Sequence, residues 1–521
     1  MAFFLLNYSK PSRPEIAANV KFEKYLDKIE PLATDGEVEL RVSILSDIQR
    51  IVNKWVQEVS VKQGFSGEAL RTACGKIFTF GSYRLGLITP SSDIDALCVT
   101  PKHISREDFF QSLLPILEAN ANVTDLSGVP DAVVPIIKLK YKNTEVDLTF
   151  ARLNLGIIDS KLENLENNNL LKHLDEKTVR SINGTRVADA LLALVPNQPT
   201  YRTVLRFVRH WAKKRGLYSN AMGFFGGITW AILSGRVCQM FPNFSPLQIC
   251  LKFFLVYSRW NWGNPVILCP ITQSTEVGLM GFKIWNPKLN HSDRSHLMPI
   301  VTPAFPCMNS TYNVSETTKR ILISEFARAF QILSSFTDST TLEKLVRPPP
   351  FLSLFRFYLA VDVCGQNPAA VNKLKGFVES RLRILLKFLE NTPGVSWVRP
   401  WPGDFAVSEF SDNRSIWLVG LSFPNAAVCD LRQSLAQFHE KLADWTDRDL
   451  FQSGIDYSVR LFHVGVDNPL IRGLEAGDLK NQKVADHLKS LIADQGESAG
   501  STLDDGKRRK IEVVLEGHIG E

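Results

Sequence analysis

The sequence predicts an α+β protein of several domains: an α/β domain, a mainly helical domain and a C-terminal ferredoxin-like domain. A chain of 521 residues, 45% of them hydrophobic, is long enough to bury several cores, which favours two to four domains. Charged and apolar residues alternate at helical spacing over residues 20–60, and strand-like runs begin near Ile77. After a proline run at 347–350, the segments follow in the order β-α-β-β-α-β.

The elements of the first two domains follow from local patterns. The run IDALCVT and a hairpin over 133–150, centred on KNTE, predict a small sheet behind the N-terminal helices. Helical periodicity dominates from 160 to 345, and the prolines at 347–350 end that region because consecutive prolines cannot continue a helix. We therefore predict domains over 18–158, 159–347 and 348–472, with residues 1–17 packed on the central domain and a flexible tail over 473–521.

Composition restricts the functional class only broadly. The longest apolar run, from 221, is too short and too rich in glycine to span a membrane, and we expect a soluble, unsecreted chain. The eight cysteines show no CxxC pair, which is typical of reduced cysteines in the cytosol or nucleus. A net charge of +6 is compatible with a nucleic-acid or nucleotide partner. The tail carries KRRK (Lys507, Arg508, Arg509, Lys510), which is either a nuclear import signal or a solvated basic cluster.

Paired carboxylates near residue 94 provide the first chemical signal. Strand alternation places Asp93 and Asp95 on one face, with Ile94 on the other. A lone DxD is commonly a solvated strand end, but here a loop with phosphate-binding composition, Phe80–Ser82, precedes it, and a third strand carboxylate, Asp147, follows. Three carboxylates gathered on a sheet are suitable ligands for one or two magnesium ions that also bind a triphosphate.

A basic helix supplies the second signal. Over 201–220, one face is apolar and the other carries cations, which we predict to be free to bind a triphosphate: Arg202, Arg206, Arg209 and Lys213. A basic stripe found alone is more often merely solvated. In this chain the helix ends at Gly216, and Tyr218, Asn220 and the glycine-rich GFFGGI follow, where a nucleotide could approach the backbone.

The C-terminal β-α-β-β-α-β order is that of RNA-recognition modules. Its third strand, however, lacks the glycine and aromatic signature with which such modules stack bases. The sequence therefore predicts either contact with the RNA backbone or simple packing.

Long motifs in a fixed order resemble those of the eukaryotic nuclear poly(A) polymerases, within the wider nucleotidyltransferase superfamily. The resemblance covers residues 20–345, continues more weakly to about 470, and is carried by FTFGSYRLGLITPSSDIDALCVTPKH, VPDAVVPIIKLKYKNTEVDLTFARL, RSINGTRV and SHLMPIVTPAFPCMNSTYNVS. It implies a nucleotidyltransferase-type catalytic domain, a central helical domain and an RNA-recognition-like domain, with the active site in the cleft between them. It also implies Mg²⁺ or Mn²⁺ at a two-metal site and ATP as substrate.

The resemblance assigns roles to individual positions. It implies that Asp93, Asp95 and Asp147 are the catalytic, metal-binding residues, and that Val134 and Lys138 lie near the RNA 3′ end. The implied ATP-binding positions comprise those aspartates together with Phe80, Gly81, Ser82, Ile94, Asn183, Arg209, Lys213, Tyr218, Asn220, Gly227 and Ile228. Two positions depart from the family pattern: Arg209 replaces a triphosphate-contacting Lys, and Val133 replaces an aromatic that stacks on adenine in some members.

The implied activity is template-independent transfer of AMP from ATP to an RNA 3′ end, as in mRNA polyadenylation in the nucleus. The resemblance further implies a monomer that is recruited by cleavage and polyadenylation factors and makes no membrane contact. Two alternatives stay open: a terminal uridylyltransferase of the same superfamily, and a catalytically silent RNA-binding scaffold. The presence of all three aspartates argues against the scaffold.

Overall fold

The computed structural model describes residues 6–275, 281–406, 414–424, 429–445, 455–463 and 514–516. The chain forms two compact units. The first consists of Met1–His210, Gly227–Ser310 and Ala327–Leu345, and the second of Trp211–Gly226, Thr311–Phe326 and Val346–Glu521.

Helices and strands follow one another throughout the described ranges. In chain order the helices are α1 Arg13–Ile29, α2 Asp35–Lys62, α3 Gly67–Arg71, α4 Gly81–Arg84, α5 Arg106–Asp108, α6 Leu114–Glu118, α7 Glu176–Leu194, α8 Gln198–Lys214, α9 Gly227–Met240, α10 Pro246–Ser258, α11 His291–Arg294, α12 Glu316–Ser334, α13 Ser339–Val346, α14 Pro368–Glu390 and α15 Arg432–Ala443. The strands are β1 Lys76–Thr79, β2 Ile94–Thr100, β3 Val123–Val129, β4 Ile136–Tyr141, β5 Thr144–Arg152, β6 Phe357–Gly365, β7 Trp397–Pro400, β8 Phe405–Ala406, β9 Arg414–Ser422, β10 Ile455–His463 and β11 Val514–Glu516.

The first unit contains a five-stranded sheet in the order β1-β2-β5-β4-β3. Strands β2 and β5 are parallel, and the other neighbours are antiparallel. The hairpin predicted around KNTE is confirmed as β4 and β5. Its two turn residues, Lys142 and Asn143, have φ of 48° and 63°, the left-handed conformation that a two-residue hairpin turn requires to match strand twist.

Strand alternation divides β2 and β5 between two cores. Ile94, Ala96 and Cys98 lie in one cluster with residues of the long helix α2, including Ile48 and Trp55. Leu97 and Val99 lie in a second cluster with Val179 and Ile182 of α7. Because side chains alternate between the faces of a strand, Asp95 projects on the α7 side of the sheet. The predicted N-terminal helices are confirmed as α1 and α2, and α2 covers one face of the sheet.

The region from 160 to 345 is mainly helical, as predicted, and comprises α7 to α13. The N-terminal segment lies against two of these helices. The Asn7 amide donates to Met240 O at 3.0 Å and the Asn243 side chain to Tyr8 O at 2.7 Å. Asn19 Oδ1 accepts from the Leu247 amide at 3.0 Å. Within the described ranges, none of the helices combines the length and apolar character that a membrane span needs.

The second unit contains the ferredoxin-like domain. Strands β10, β6, β9 and β7 form an antiparallel sheet in that order, with α14 following β6 and α15 following β9. This confirms the predicted β-α-β-β-α-β arrangement. Two short strands extend the sheet beyond that prediction: β8 pairs with β9, and β11 pairs with β10.

One face of this sheet is covered by side chains from the segment that leads into β6 and from residues that follow β7. Tyr358 and Ala360 on β6, with Ile416 and Leu418 on β9, form a cluster with Phe351, Leu352, Phe355, Phe405 and Trp401. Gly420 marks the closest approach, since a Cβ there would lie 2.3 Å from the Phe355 ring. RNA-recognition modules stack bases on their helix-free sheet face, and here that face is filled by aromatic side chains of the same chain.

Candidate active site

Three carboxylates meet where β2 and β5 run side by side. Asp95 lies directly opposite Asp147 in the parallel pairing, and Asp93 immediately precedes β2. One carboxylate oxygen from each of the three residues lies within 4.8 Å of the others, and all three side chains are half-buried. Parallel pairing in this register forces the aspartates together, since each points to the same face of the sheet.

The three carboxylates of this cluster repel one another. Burial and repulsion from Asp93 and Asp147 raise the pKa of Asp95 to about 7. The positive charges of Arg209 and Lys138 offset part of this rise. Burial also raises the pKa of Asp147, although Lys138 Nζ lies 3.2 Å from Asp147 Oδ2 and opposes the rise. Three clustered carboxylate oxygens with too little compensating charge are the donor set that Mg²⁺ or Mn²⁺ prefers. The residues therefore fit a divalent cation.

The loop Phe80–Ser82 lies directly against one of these carboxylates. The Phe80 amide donates to Asp95 O at 3.1 Å. Gly81 has φ +60°, and a Cβ at this position would lie 1.9 Å from Asp95 Oδ2. Phe80 in turn packs on α7, where a Cβ at Gly184 would lie 3.1 Å from its ring. The loop is therefore fixed between the carboxylate cluster and α7, and only glycine fits at 81.

Two further predicted residues of the first unit have polar atoms without a partner. Asn183 Oδ1 on α7 and Arg209 Nε on α8 are buried, and neither has a hydrogen-bond partner among the residues that the structure describes. The Arg209 charge acts on Asp95, so the guanidinium lies close to the cluster. Such unpartnered buried groups are costly unless a ligand or ion satisfies them, which is consistent with a binding role for both residues.

The remaining predicted residues of this unit lie on β4, just before it, or at the start of α9. Lys138, on β4, lies directly opposite Asp147. Val134 is half-buried just before β4, and its neighbour Val133 is 65% exposed. Gly227 and Ile228 are half-buried at the start of α9. The basic tail cluster KRRK lies outside the described residues.

The prediction that the whole basic face of α8 is free was wrong. Arg206 is 9% exposed and donates to Asp27 at 2.5 Å. Arg202 Nε donates to Leu85 O at 2.9 Å. Both partners lie more than a hundred residues earlier in the chain, so helical periodicity alone carried no sign that these two cations were already bonded within the fold.

Three predicted ATP-binding residues belong to the second unit. Lys213 Nζ lies 5.5 Å from the centroid of the Tyr218 ring. The carbonyl oxygen of Asn220 accepts from the Gly223 amide at 3.2 Å and from Asn313 Nδ2 at 3.1 Å. Asn220 Oδ1 is buried without a partner in the part of the chain that the structure describes.

The residues that fasten the Phe80–Ser82 loop to α7 were missed, because no sequence pattern indicates them. Arg84 on α4 donates to Asp189 at 2.6 Å, and Asp189 is only 9% exposed. Thr185 Oγ1 donates to Thr79 O at 3.3 Å. Each pair joins residues more than a hundred positions apart, so their pairing becomes visible only in the folded chain.

Known protein families match most of this chain in three consecutive segments. Family models match in order: the poly(A) polymerase nucleotidyltransferase domain at residues 6–195, the poly(A) polymerase central domain at 200–348 and the poly(A) polymerase predicted RNA binding domain at 350–417. The poly(A) polymerase of Dictyostelium discoideum is 39% identical over 452 residues, which cover 84% of this chain and 55% of that protein. Nuclear poly(A) polymerase 1 of Arabidopsis thaliana is 39% identical over 456 residues, which cover 86% of this chain and 63% of that protein.

The chain thus spans 55% and 63% of the length of these two relatives. Among solved structures, the Cid1 poly(U) polymerase aligns with 65% of this chain and 100% of that chain. Its sequence identity is 13% and its TM-score 0.44, a likeness too distant to bear on nucleotide choice.

Proposed function

Because this chain belongs to the poly(A) polymerase family, as its motifs and the family matches both show, we propose that it is a polynucleotide adenylyltransferase. It adds AMP from ATP to RNA 3′ ends without a template and releases pyrophosphate. The observation that carries the proposal is the cluster of Asp93, Asp95 and Asp147 on β2 and β5. Three carboxylates that repel one another argue for a bound cation, and so argue against a catalytically silent scaffold.

The three aspartates would hold Mg²⁺ or Mn²⁺ at a two-metal site, and the metal would stabilise charge on the phosphate oxygens and make the attacking hydroxyl more acidic. Asp147 accepts the proton of the RNA 3′-hydroxyl. The 3′-oxygen forms a bond to the α-phosphorus of ATP as the bond between that phosphorus and the leaving oxygen breaks, and pyrophosphate departs.

The other predicted residues bind and orient the two substrates. The backbone of Phe80–Ser82 approaches the phosphates, and the Arg209 guanidinium donates to them. Arg209 Nε is buried and has no hydrogen-bond partner among the described residues. The rest of the proposed ATP site comprises Ile94, Asn183, Lys213, Tyr218, Asn220, Gly227 and Ile228. Val134 and Lys138 lie at the RNA 3′ end in this proposal. Val133 is too small and too exposed to replace a stacking aromatic.

The cellular setting is proposed from the same relationship. The relatives named nuclear poly(A) polymerases favour the nucleus, where cleavage and polyadenylation factors would recruit the protein as a monomer. KRRK is a candidate import signal. RNA contact through the C-terminal domain would use surfaces other than the covered sheet face. The domain limits at 158, 347 and 472 stay predictions.

Primer extension tests the proposed activity. The full chain is incubated with a short oligo(A) RNA, Mg²⁺ or Mn²⁺, and each of the four nucleoside triphosphates separately. We expect long tails from ATP alone, and a loss of about 100-fold or more in Asp147→Asn, because the variant removes a charge on which the transition state depends. Asp35→Asn, the same change at an exposed aspartate at the start of α2, is the control and should match the wild type.

Substantial extension by a folded Asp147→Asn protein would contradict the three-aspartate mechanism. A preference for UTP would assign the chain to the terminal uridylyltransferases, and failure to extend with any nucleotide would favour the scaffold alternative.

A further inference from the structure

The loop after α8 brings Asn220 into contact with the segment that precedes α12. Within this loop the Asn220 carbonyl accepts from the Gly223 amide at 3.2 Å, closing a turn. The same oxygen accepts a second hydrogen bond, at 3.1 Å, from Nδ2 of Asn313. Gly223 has φ +78°, and a Cβ there would lie 2.9 Å from Asn313 O. The glycine therefore permits the two segments to approach, and Asn313 fixes the Asn220 backbone.

The Asn313 side chain is held at its other end by the C-terminal domain. Arg383, on α14, donates from Nη1 to Asn313 Oδ1 at 2.5 Å. A planar amide that accepts from a guanidinium through its oxygen is oriented with its NH₂ group on the opposite side. In this structure that side faces Asn220. The hydrogen-bonded chain Arg383–Asn313–Asn220 therefore joins α14 to a proposed ATP-binding residue within the second unit.

A second contact fixes the same segment to α14. Ser315 Oγ donates to Glu390 Oε1 at 2.5 Å, and Glu390 is the last residue of α14. Asn313 and Ser315 are thus both anchored to one rigid helix of 23 residues. A residue that is anchored in this way can hold its partner in one place at little cost in entropy, which is the requirement for a positioning residue.

We propose that Asn313 is a positioning residue for nucleotide binding, which acts by holding Asn220 in place and is itself oriented by Arg383. The inference rests on the proposed function in so far as Asn220 binds ATP. Asn220 Oδ1 is buried and without a partner among the described residues, so it is available to accept from a donor group of the nucleotide. Displacing the Asn220 backbone would move that acceptor and weaken the binding of ATP.

The substitution Asn313→Asp separates the two halves of this contact. Aspartate keeps an oxygen for Arg383, and so preserves the link to α14, but it replaces the donor that faces the Asn220 carbonyl with a second acceptor. We expect ATP to bind about tenfold more weakly, since a lost hydrogen bond near an unpaired acceptor costs this order of affinity.

Arg383→Gln, which removes the orienting guanidinium, should also weaken the binding of ATP. Asn372→Asp places the same charge change at an exposed position of α14 and should have no effect.

The measurement is calorimetric titration of the full chain with ATP in the absence of RNA, followed by steady-state extension and thermal unfolding. We expect a raised KM for ATP, with kcat at saturating ATP, the KM for RNA and the unfolding temperature unchanged. In an Asn220→Ala background, Asn313→Asp should cause no further loss, because the side chain that it positions is already absent.

The proposal is overturned if Asn313→Asp binds ATP as the wild type does, or if its effect persists in full in the Asn220→Ala background. A loss of ATP affinity that parallels a loss of thermal stability in both Asn313→Asp and Arg383→Gln would show a merely structural role. Failure of the proposed function is distinguishable, because a wild-type chain that bound ATP but extended no RNA would contradict polyadenylation and leave the affinity comparison intact.

Discussion

A methyl group at Gly81 would collide with the carboxylate at the centre of the proposed site. A Cβ there would lie 1.9 Å from Asp95 Oδ2 and 2.9 Å from its Cγ, and the backbone has φ +60°. We therefore expect Gly81→Ala to displace Asp95 and to lower kcat/KM for ATP by about 100-fold, the usual result of moving a catalytic group by about 1 Å. Steady-state extension assays on the purified full chain check this.

Gly36→Ala is the matched control for this substitution. A Cβ at Gly36 meets nothing within 4 Å, and the residue lies in the first turn of α2, so its activity should equal that of the wild type. Wild-type activity in Gly81→Ala would show that Asp95 does not need the close approach of the loop.

Residues were predictable where their placement depends on local periodicity. The aspartates could be predicted because a strand alternates its faces every second residue, so Asp95 and Asp147 necessarily project to one side once their strands pair. The contact of Gly81 with Asp95 depends on the pairing of β1 with β2, which no local pattern specifies. The same limit explains why the ion pair of Arg206 with Asp27 was missed.

At the scale of elements, the C-terminal sheet has the β-α-β-β-α-β order of RNA-recognition modules, but aromatic side chains of the same chain cover one of its faces. Gly420 on β9 lets the Phe355 ring lie against the sheet, since a Cβ would stand 2.3 Å from it. We expect Gly420→Ala to force the ring away and to destabilise this domain by about 1–3 kcal/mol, the typical cost of overpacking. Calorimetric unfolding of the full chain would show this as a lower transition temperature.

Gly376→Ala, on helix α14, should have the opposite effect on stability. A Cβ at Gly376 meets nothing within 4 Å, and the residue lies inside α14, so alanine should stabilise by about 0.5–1 kcal/mol through its better helix propensity. If Gly420→Ala were as stable as the wild type, the aromatic cover of the sheet would not be tightly packed.

Elements were predicted well where turn chemistry and periodicity agree. The hairpin of β4 and β5 followed from alternating strands on either side of a polar turn, and α14 from its long apolar repeat. The cover over the second sheet could not be predicted, because Phe351, Phe355 and Trp401 come from segments without regular periodicity. Only their packing against β6 and β9 shows that bases cannot stack on that face.

At the scale of the whole molecule, the proposed cation site belongs to one compact unit, because all three aspartates lie in the first unit. A cation that binds the folded chain at this cluster stabilises it by about 2.7 kcal/mol at a concentration 100-fold above its dissociation constant. We expect Mn²⁺ or Mg²⁺ to raise the calorimetric unfolding temperature of the full chain. The Asp93→Asn/Asp95→Asn variant should lose the shift, and sodium chloride at equal ionic strength should not produce it. A shift that survives in the variant would place the cation elsewhere.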